Sequence, residues 1–227
     1  IHILSSILNM IKLSRTSAKK NGIIRTGNVM SMINSGSNAV VSGLHRLKCA
    51  FNAMAEIPEK EWTYLSARVR LRNFGVEELL YRAGEPVTEF YFIIKGLIRY
   101  FYLTPDGKEY NKLFAVENEF VGSFSYKIPN EPCSFYAQAL EGTETVALPV
   151  GLIVEAFDRH PAWERVGRLV AENMALTKEL REKEFLLDPA EIRNRRFMKE
   201  NAGLAQRIPQ YHIASYLGIT DVALYRI

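Results

Sequence analysis

Gln210-Tyr-His-Ile-Ala-Ser-Tyr-Leu-Gly-Ile-Thr-Asp-Val-Ala-Leu-Tyr-Arg-Ile227 places small and apolar residues where two helices crossing at a tight turn need them. Ala214 is small at the crossing, and Gly218 stands at the turn, where a left-handed backbone costs glycine little. Ile213, Leu217, Ile219, Leu224 and Ile227 supply apolar faces at helical spacing. The pattern predicts a helix-turn-helix whose second helix presents Thr220, Asp221, Val222, Tyr225 and Arg226 to double-stranded DNA. Arg226 is the natural donor for a bidentate guanine contact. An ordinary helical hairpin is the competing reading, because small-residue spacings also arise by chance.

Upstream, charge is unevenly spread. The 227 residues carry a formal charge of +4, yet residues 1–50 hold seven Lys or Arg and no acid, which leaves the remainder at 22 basic against 25 acidic. Within that remainder the segment 190–227 turns basic again, with Arg193, Arg195, Arg196, Lys199, Arg207 and Arg226 against three acids. Cations thus collect beside the reading helix, as phosphate contacts require. No apolar run approaches the ~20 residues of a membrane span, so no membrane partner is expected. Cys49 and Cys133 form neither a disulfide framework nor a metal-binding pair, which points to a reducing cytoplasm. No metal or other cofactor is expected.

Residues 1–42 differ from the rest: Ser, Asn, Gly and Met are frequent, acids are absent, and the first residue is Ile1. The expectation is a leader that is disordered or not native; a targeting or membrane-surface peptide is the alternative. From Leu44 to Met54 the apolar spacing is helical, and Pro58 opens a second helix with Trp62 and Leu65 on one face. Short strand-like runs follow at 69–74, 78–81, 90–94, 97–103, 109–114, 134–140 and 145–149, punctuated by Gly84, Gly96, Gly107 and Gly142. Such spacing argues for a small antiparallel barrel or jelly roll. After His160-Pro161, the residues Val166, Leu169, Asn173, Leu176 and Leu180 recur at steps of three and four. That is the seam of a paired helix, with Asn173 fixing register between two copies; a single helix packed on the barrel remains the alternative. Asp188-Pro-Ala-Glu191 reads as the start of a further helix with Asp188 as N-cap.

Barrel, long helix and helix-turn-helix in this order resemble the Crp/Fnr superfamily of transcription regulators. The resemblance rests on Arg82-Ala-Gly84-Glu85, Tyr91-Phe-Ile-Ile-Lys-Gly96, Gly107-Lys-Glu109, Phe120-Val-Gly122 and Ile213-Ala-Ser-Tyr-Leu-Gly-Ile219, and runs from about 44 to the C-terminus. It implies an α+β chain: a cyclic-nucleotide-binding-like jelly roll over 43–160, a dimerisation helix over 161–187, and a winged helix-turn-helix over 188–227. The last part ends within its reading helix and is expected to be truncated. The resemblance further implies a homodimer on a two-fold symmetric operator, a small-molecule effector, and RNA polymerase as a candidate partner.

Departures from the family pattern bear on the effector. Cyclic-nucleotide-binding members hold the ribose with a Glu after the glycine matching Gly122 and the phosphate with an Arg; here those positions are Ser123 and Cys133. Without the guanidinium the strongest contact to a cyclic phosphate is missing. The candidate effector pocket is therefore Gly122, Ser123, Phe124, Cys133 and Ser134, with nearby aromatics Phe120, Tyr126, Phe135 and Tyr136 either lining it for an apolar ligand or filling the core. The cysteine cluster of the family's oxygen sensors is absent. In the reading helix, Asp221-Val222 and Tyr225 replace the family's common residues while Arg226 is retained, so a different half-site is expected.

A metal-dependent cupin enzyme would need His and carboxylate ligands on barrel strands. His2, His45, His160 and His212 all fall outside the predicted strands, so no enzyme activity is expected. A barrel that signals to a partner without DNA is the remaining alternative.

Overall fold

The computed structural model describes residues 35–226. Most of the predicted leader, His2 and Ile227 lie outside the described residues.

Helix α1 (Ser35–Met54) begins inside the span assigned to the leader. Its Ser-Gly-Ser-Asn start reads as linker by composition, yet the helix anchored by buried Leu47, Phe51 and Met54 runs back through it. Helix α2 (Glu59–Ser66) follows, with Trp62 and Leu65 buried on one face.

Eight strands come next: β1 (Arg70–Phe74), β2 (Leu79–Tyr81), β3 (Glu89–Lys95), β4 (Ile98–Leu103), β5 (Glu109–Ala115), β6 (Phe120–Val121), β7 (Tyr136–Ala139) and β8 (Thr143–Pro149). They form two antiparallel sheets, ordered β1-β8-β3-β6 and β2-β7-β4-β5. Tyr91, Ile93, Tyr100, Phe135, Ala137 and Ala147 meet between the sheets. Gly84, Gly96 and Gly107 adopt positive φ at turns, the left-handed conformation that other residues resist. The run Phe90 to Ile94 is apolar on both faces because β3 has a core on each side. Tyr91 and Ile93 point between the sheets, while Phe92 and Ile94 point out against helices. The seven strand runs read from the sequence are all present; β6, only two residues long, was too short to show a pattern.

Helix α3 (Val150–Arg159) and the long helix α4 (Pro161–Leu187) pack with α1 and α2 over the outer face of β3 and β8. His160 separates α3 from α4, and its Nδ1 accepts from the Ala162 N–H at 3.1 Å, the part usually taken by a Ser or Asp cap. Helices α5 (Ala190–Glu200), α6 (Ala202–Ala205), α7 (Gln210–Leu217) and α8 (Asp221–Arg226) complete the described chain. Asp188 does not cap α5: its side chain bonds Arg196 and its carbonyl accepts from Arg193. Arginines one and two turns along that helix compete for the oxygens, and an ion pair outweighs a cap.

Candidate nucleic-acid interface and effector cavity

The terminal motif builds as its sequence demands. Ala214 is fully buried, and Gly218 ends α7 in the left-handed conformation, φ 69°. Its N–H donates to Ser215 O and that of Ile219 to Ala214 O, closing α7 in a Schellman arrangement. Thr220 begins α8, its Oγ1 accepting from the Ala223 N–H at 3.2 Å; the hydroxyl assigned to DNA is thus engaged as a cap. Leu224 and Ile219 turn inward, whereas Asp221, Val222, Tyr225 and Arg226 are exposed, Tyr225 to 90 %.

This unit is docked on the barrel. Leu97, Phe114 and Val116 of the barrel share an apolar cluster with Phe197, Leu204, Ile208, Ile213, Tyr216 and Leu217. Strand β5 is the edge of its sheet, and α7 covers it. Ser215 Oγ accepts the Asn111 N–H at 2.9 Å and donates to Glu109 O at 3.1 Å, occupying polar backbone that an open edge leaves free. Beside it, Asn111 Nδ2 donates to His212 Nδ1 at 3.0 Å, so the imidazole proton sits on Nε2. Burial, reinforced by the neighbouring Arg99 guanidinium, pushes His212 down to about 4. Arg207 adds a second tie, bonding Glu117 and Glu141 on barrel loops; those two hydrogen bonds raise its already high pKa. None of these contacts was legible beforehand, because each joins residues about 66 to 113 positions apart.

The other candidate region is a cavity of about 750 Å³ between the barrel and α4. Gly122, Ser123, Phe124 and Ser134 line it; Cys133 does not. The Cys133 thiol is buried and donates to Phe135 O at 3.2 Å. A Cβ on Gly122 would lie 2.0 Å from the Phe90 ring, so glycine is required there. Ser123 Oγ accepts from the Ser125 N–H and starts the 3-10 turn Phe124–Lys127. The Tyr100 hydroxyl oxygen accepts from the Gly122 N–H at 3.2 Å, and burial raises its phenol well above the usual range.

The sequence missed the cavity's cations. Lys112 of β5, together with Lys178 and Arg181 of α4, lines it. Tyr100 pairs with Leu113 but Phe101 pairs with Asn111, so Lys112 is the extra residue of a β-bulge. The strand sequence Glu109-Tyr-Asn-Lys-Leu-Phe-Ala115 does not alternate, so nothing in it singled Lys112 out. Arg181 also reaches the helix-turn-helix: it donates to Tyr216 O at 2.8 Å and lies 3.8 Å over the Tyr216 ring.

The predicted seam on α4 divides. Val166 and Leu169 belong to the barrel-side core, and Asn173 is only 1 % exposed, so these three are covered by their own chain. Leu176 and Leu180 are exposed. The helix is long enough to do both: its first half packs into the core, while in its second half Arg181 meets the helix-turn-helix and Leu176 and Leu180 stay open. Among the described residues no group of His, Cys, Asp or Glu is arranged to hold a metal ion, and no helix is long and apolar enough to cross a membrane.

A two-sheet barrel, a long helix closing a cavity against it, and a helix-turn-helix docked on its edge strand make up the described chain, and this fold is similar to that of solved transcription regulators, one of them of the Crp/Fnr family. Residues 71–160 match the cyclic nucleotide-binding domain family. Among solved structures, FixK2 from Bradyrhizobium japonicum is 17 % identical with a TM-score of 0.60, covering 70 % of this chain and 81 % of that one. CLP, the c-di-GMP responsive global regulator of Xanthomonas campestris, is 14 % identical with a TM-score of 0.62, over 74 % and 89 % of the two chains. A Crp/Fnr-family protein from Eubacterium rectale gives 14 % and 0.60, over 75 % and 81 %. No curated protein sequence is significantly similar.

Proposed function

We propose that the protein is a homodimeric, sequence-specific DNA-binding transcriptional regulator, acting in the cytoplasm, whose barrel senses a small molecule other than cyclic AMP or cyclic GMP. The observation that carries the DNA reading is the division of α8, with Leu224 turned into the domain and Asp221, Val222, Tyr225 and Arg226 left open on a basic segment. The similarity to CLP and the Eubacterium rectale protein supports it at the level of fold. Leu176 and Leu180, exposed on successive turns of α4, are the surface on which a second copy would pair. Against a cyclic nucleotide stands Cys133 in the position of the phosphate-binding Arg: its thiol is buried, bound to a carbonyl and outside the cavity lining.

Signal transfer follows from Arg181, which lines the cavity and holds the backbone of α7. A ligand that moves this side chain moves the helix-turn-helix, and with it the spacing of two reading helices that must lie ~34 Å apart on DNA. Selection from random duplexes at moderate salt tests the reading. A palindromic motif is expected; a folded, dimeric protein that enriches nothing, with or without added cell metabolites, would refute it.

A further inference from the structure

The charges inside the cavity are unbalanced in a particular way. Lys112 is half-buried, its Nζ 4.0 Å from the Phe135 ring centroid and 5.3 Å from that of Tyr102. Among the described residues it makes no ion pair. Lys178 faces it from α4, and burial together with that second cation pushes Lys112 down to about 8. Glu131 and Glu182 also line the cavity, and neither pairs with either lysine. The β-bulge adds a second observation. In a regular strand, neighbouring residues face opposite ways; here Lys112 and Leu113 both line the cavity. The bulge spends a ladder position to aim an ammonium group into an aromatic space, and such bulges are features that re-aim a side chain. A half-buried cation repelled by another and lacking an acid is a site short of an anion.

We propose that this cavity binds an organic anion with a flat apolar body, a carboxylate, sulfonate or phenolate, whose charge lies between Lys112 and Lys178 and whose body rests among Tyr100, Tyr102, Phe135 and Leu113. The volume suits a small molecule of this size. Because one lysine belongs to the barrel and the other to α4, the anion joins the two elements. Calling it the effector rests on the regulator reading above; its binding does not.

The test uses two probes with the same aromatic body, 8-anilinonaphthalene-1-sulfonate, which is anionic, and N-phenyl-1-naphthylamine, which is neutral. Fluorescence titrations are made on the full chain. Lys112→Met is expected to weaken the anionic probe about tenfold, the equivalent of ~1.4 kcal/mol for one charge-assisted contact, while the neutral probe changes by less than about twofold. Lys112→Arg should keep the preference for the anion. Lys178→Gln, at an exposed helix position, leaves the barrel intact and should lower the anionic affinity alone, by about threefold. Equal losses for both probes would mean that shape rather than charge is read, and no loss would mean that the probe sits elsewhere, for instance on exposed Leu176 and Leu180; either overturns the proposal. No DNA enters the measurement. Selective loss in a protein that selects no operator would therefore sink the regulator reading and keep the site.

Discussion

Lowering the pH from 7 to 5 should loosen the joint between barrel and helix-turn-helix through one residue, His212. Its Nδ1 faces the Asn111 amide donor at 3.0 Å and the Arg99 guanidinium at 3.5 Å, and the residue is only 5 % exposed. A proton on that nitrogen would turn an acceptor into a donor aimed at two donors. The folded value of about 4 lies below the ~6.5 of an unfolded chain. Below pH 6.5 the unfolded chain therefore takes a proton that the folded one refuses. The contribution is complete above that pH and is lost as pH falls toward 4, where both states are protonated. Linkage over these values gives ~2 kcal/mol between pH 7 and 5, reduced to ~1–2 kcal/mol by solvent screening at the joint. The assay is urea unfolding at pH 7, 6 and 5 of the wild type and of His212→Gln, whose amide oxygen can still accept from Asn111 but does not titrate. Subtracting the two curves removes every other ionising group. The stability difference should shrink by that amount toward pH 5. A difference that stays constant with pH would refute the buried neutral imidazole.

Arg207→Ala leaves Glu117 and Glu141 without their shared cation; the half-buried network should cost ~1–2 kcal/mol, read as a lower melting temperature and faster proteolysis between barrel and terminal helices. Gly218→Ala combines a positive φ with a Cβ 2.7 Å from Phe185, which is exposed enough to yield. A loss of ~1–2 kcal/mol in the urea midpoint is expected, and no change would mean that the turn is not held left-handed. On a selected operator, Arg226→Ala should relax base discrimination by roughly 1–3 kcal/mol at one position; uniform weakening over all sequences would make it a phosphate contact instead.

Local pattern determined much of this protein. Strand runs, turn glycines and the Ala214 to Gly218 spacing are properties of neighbouring residues, and steric rules acting over a few positions fix them wherever the chain goes. The same holds for the candidate pocket in part: Gly122, Ser123, Phe124 and Ser134 sit together because they flank one loop region. Tertiary structure alone decided the rest. Lys112 faces the cavity because of a register shift against β4, and no single-strand pattern encodes the partner's register. Asn173, Val166 and Leu169 read as a surface for a second copy, yet their own chain buries them, since an apolar stripe does not specify which apolar surface meets it. His212, Arg207 and Ser215 became a joint only when β5, its edge exposed, received α7. Backbone groups on an open edge need partners, and which segment supplies them depends on where the whole chain brings it.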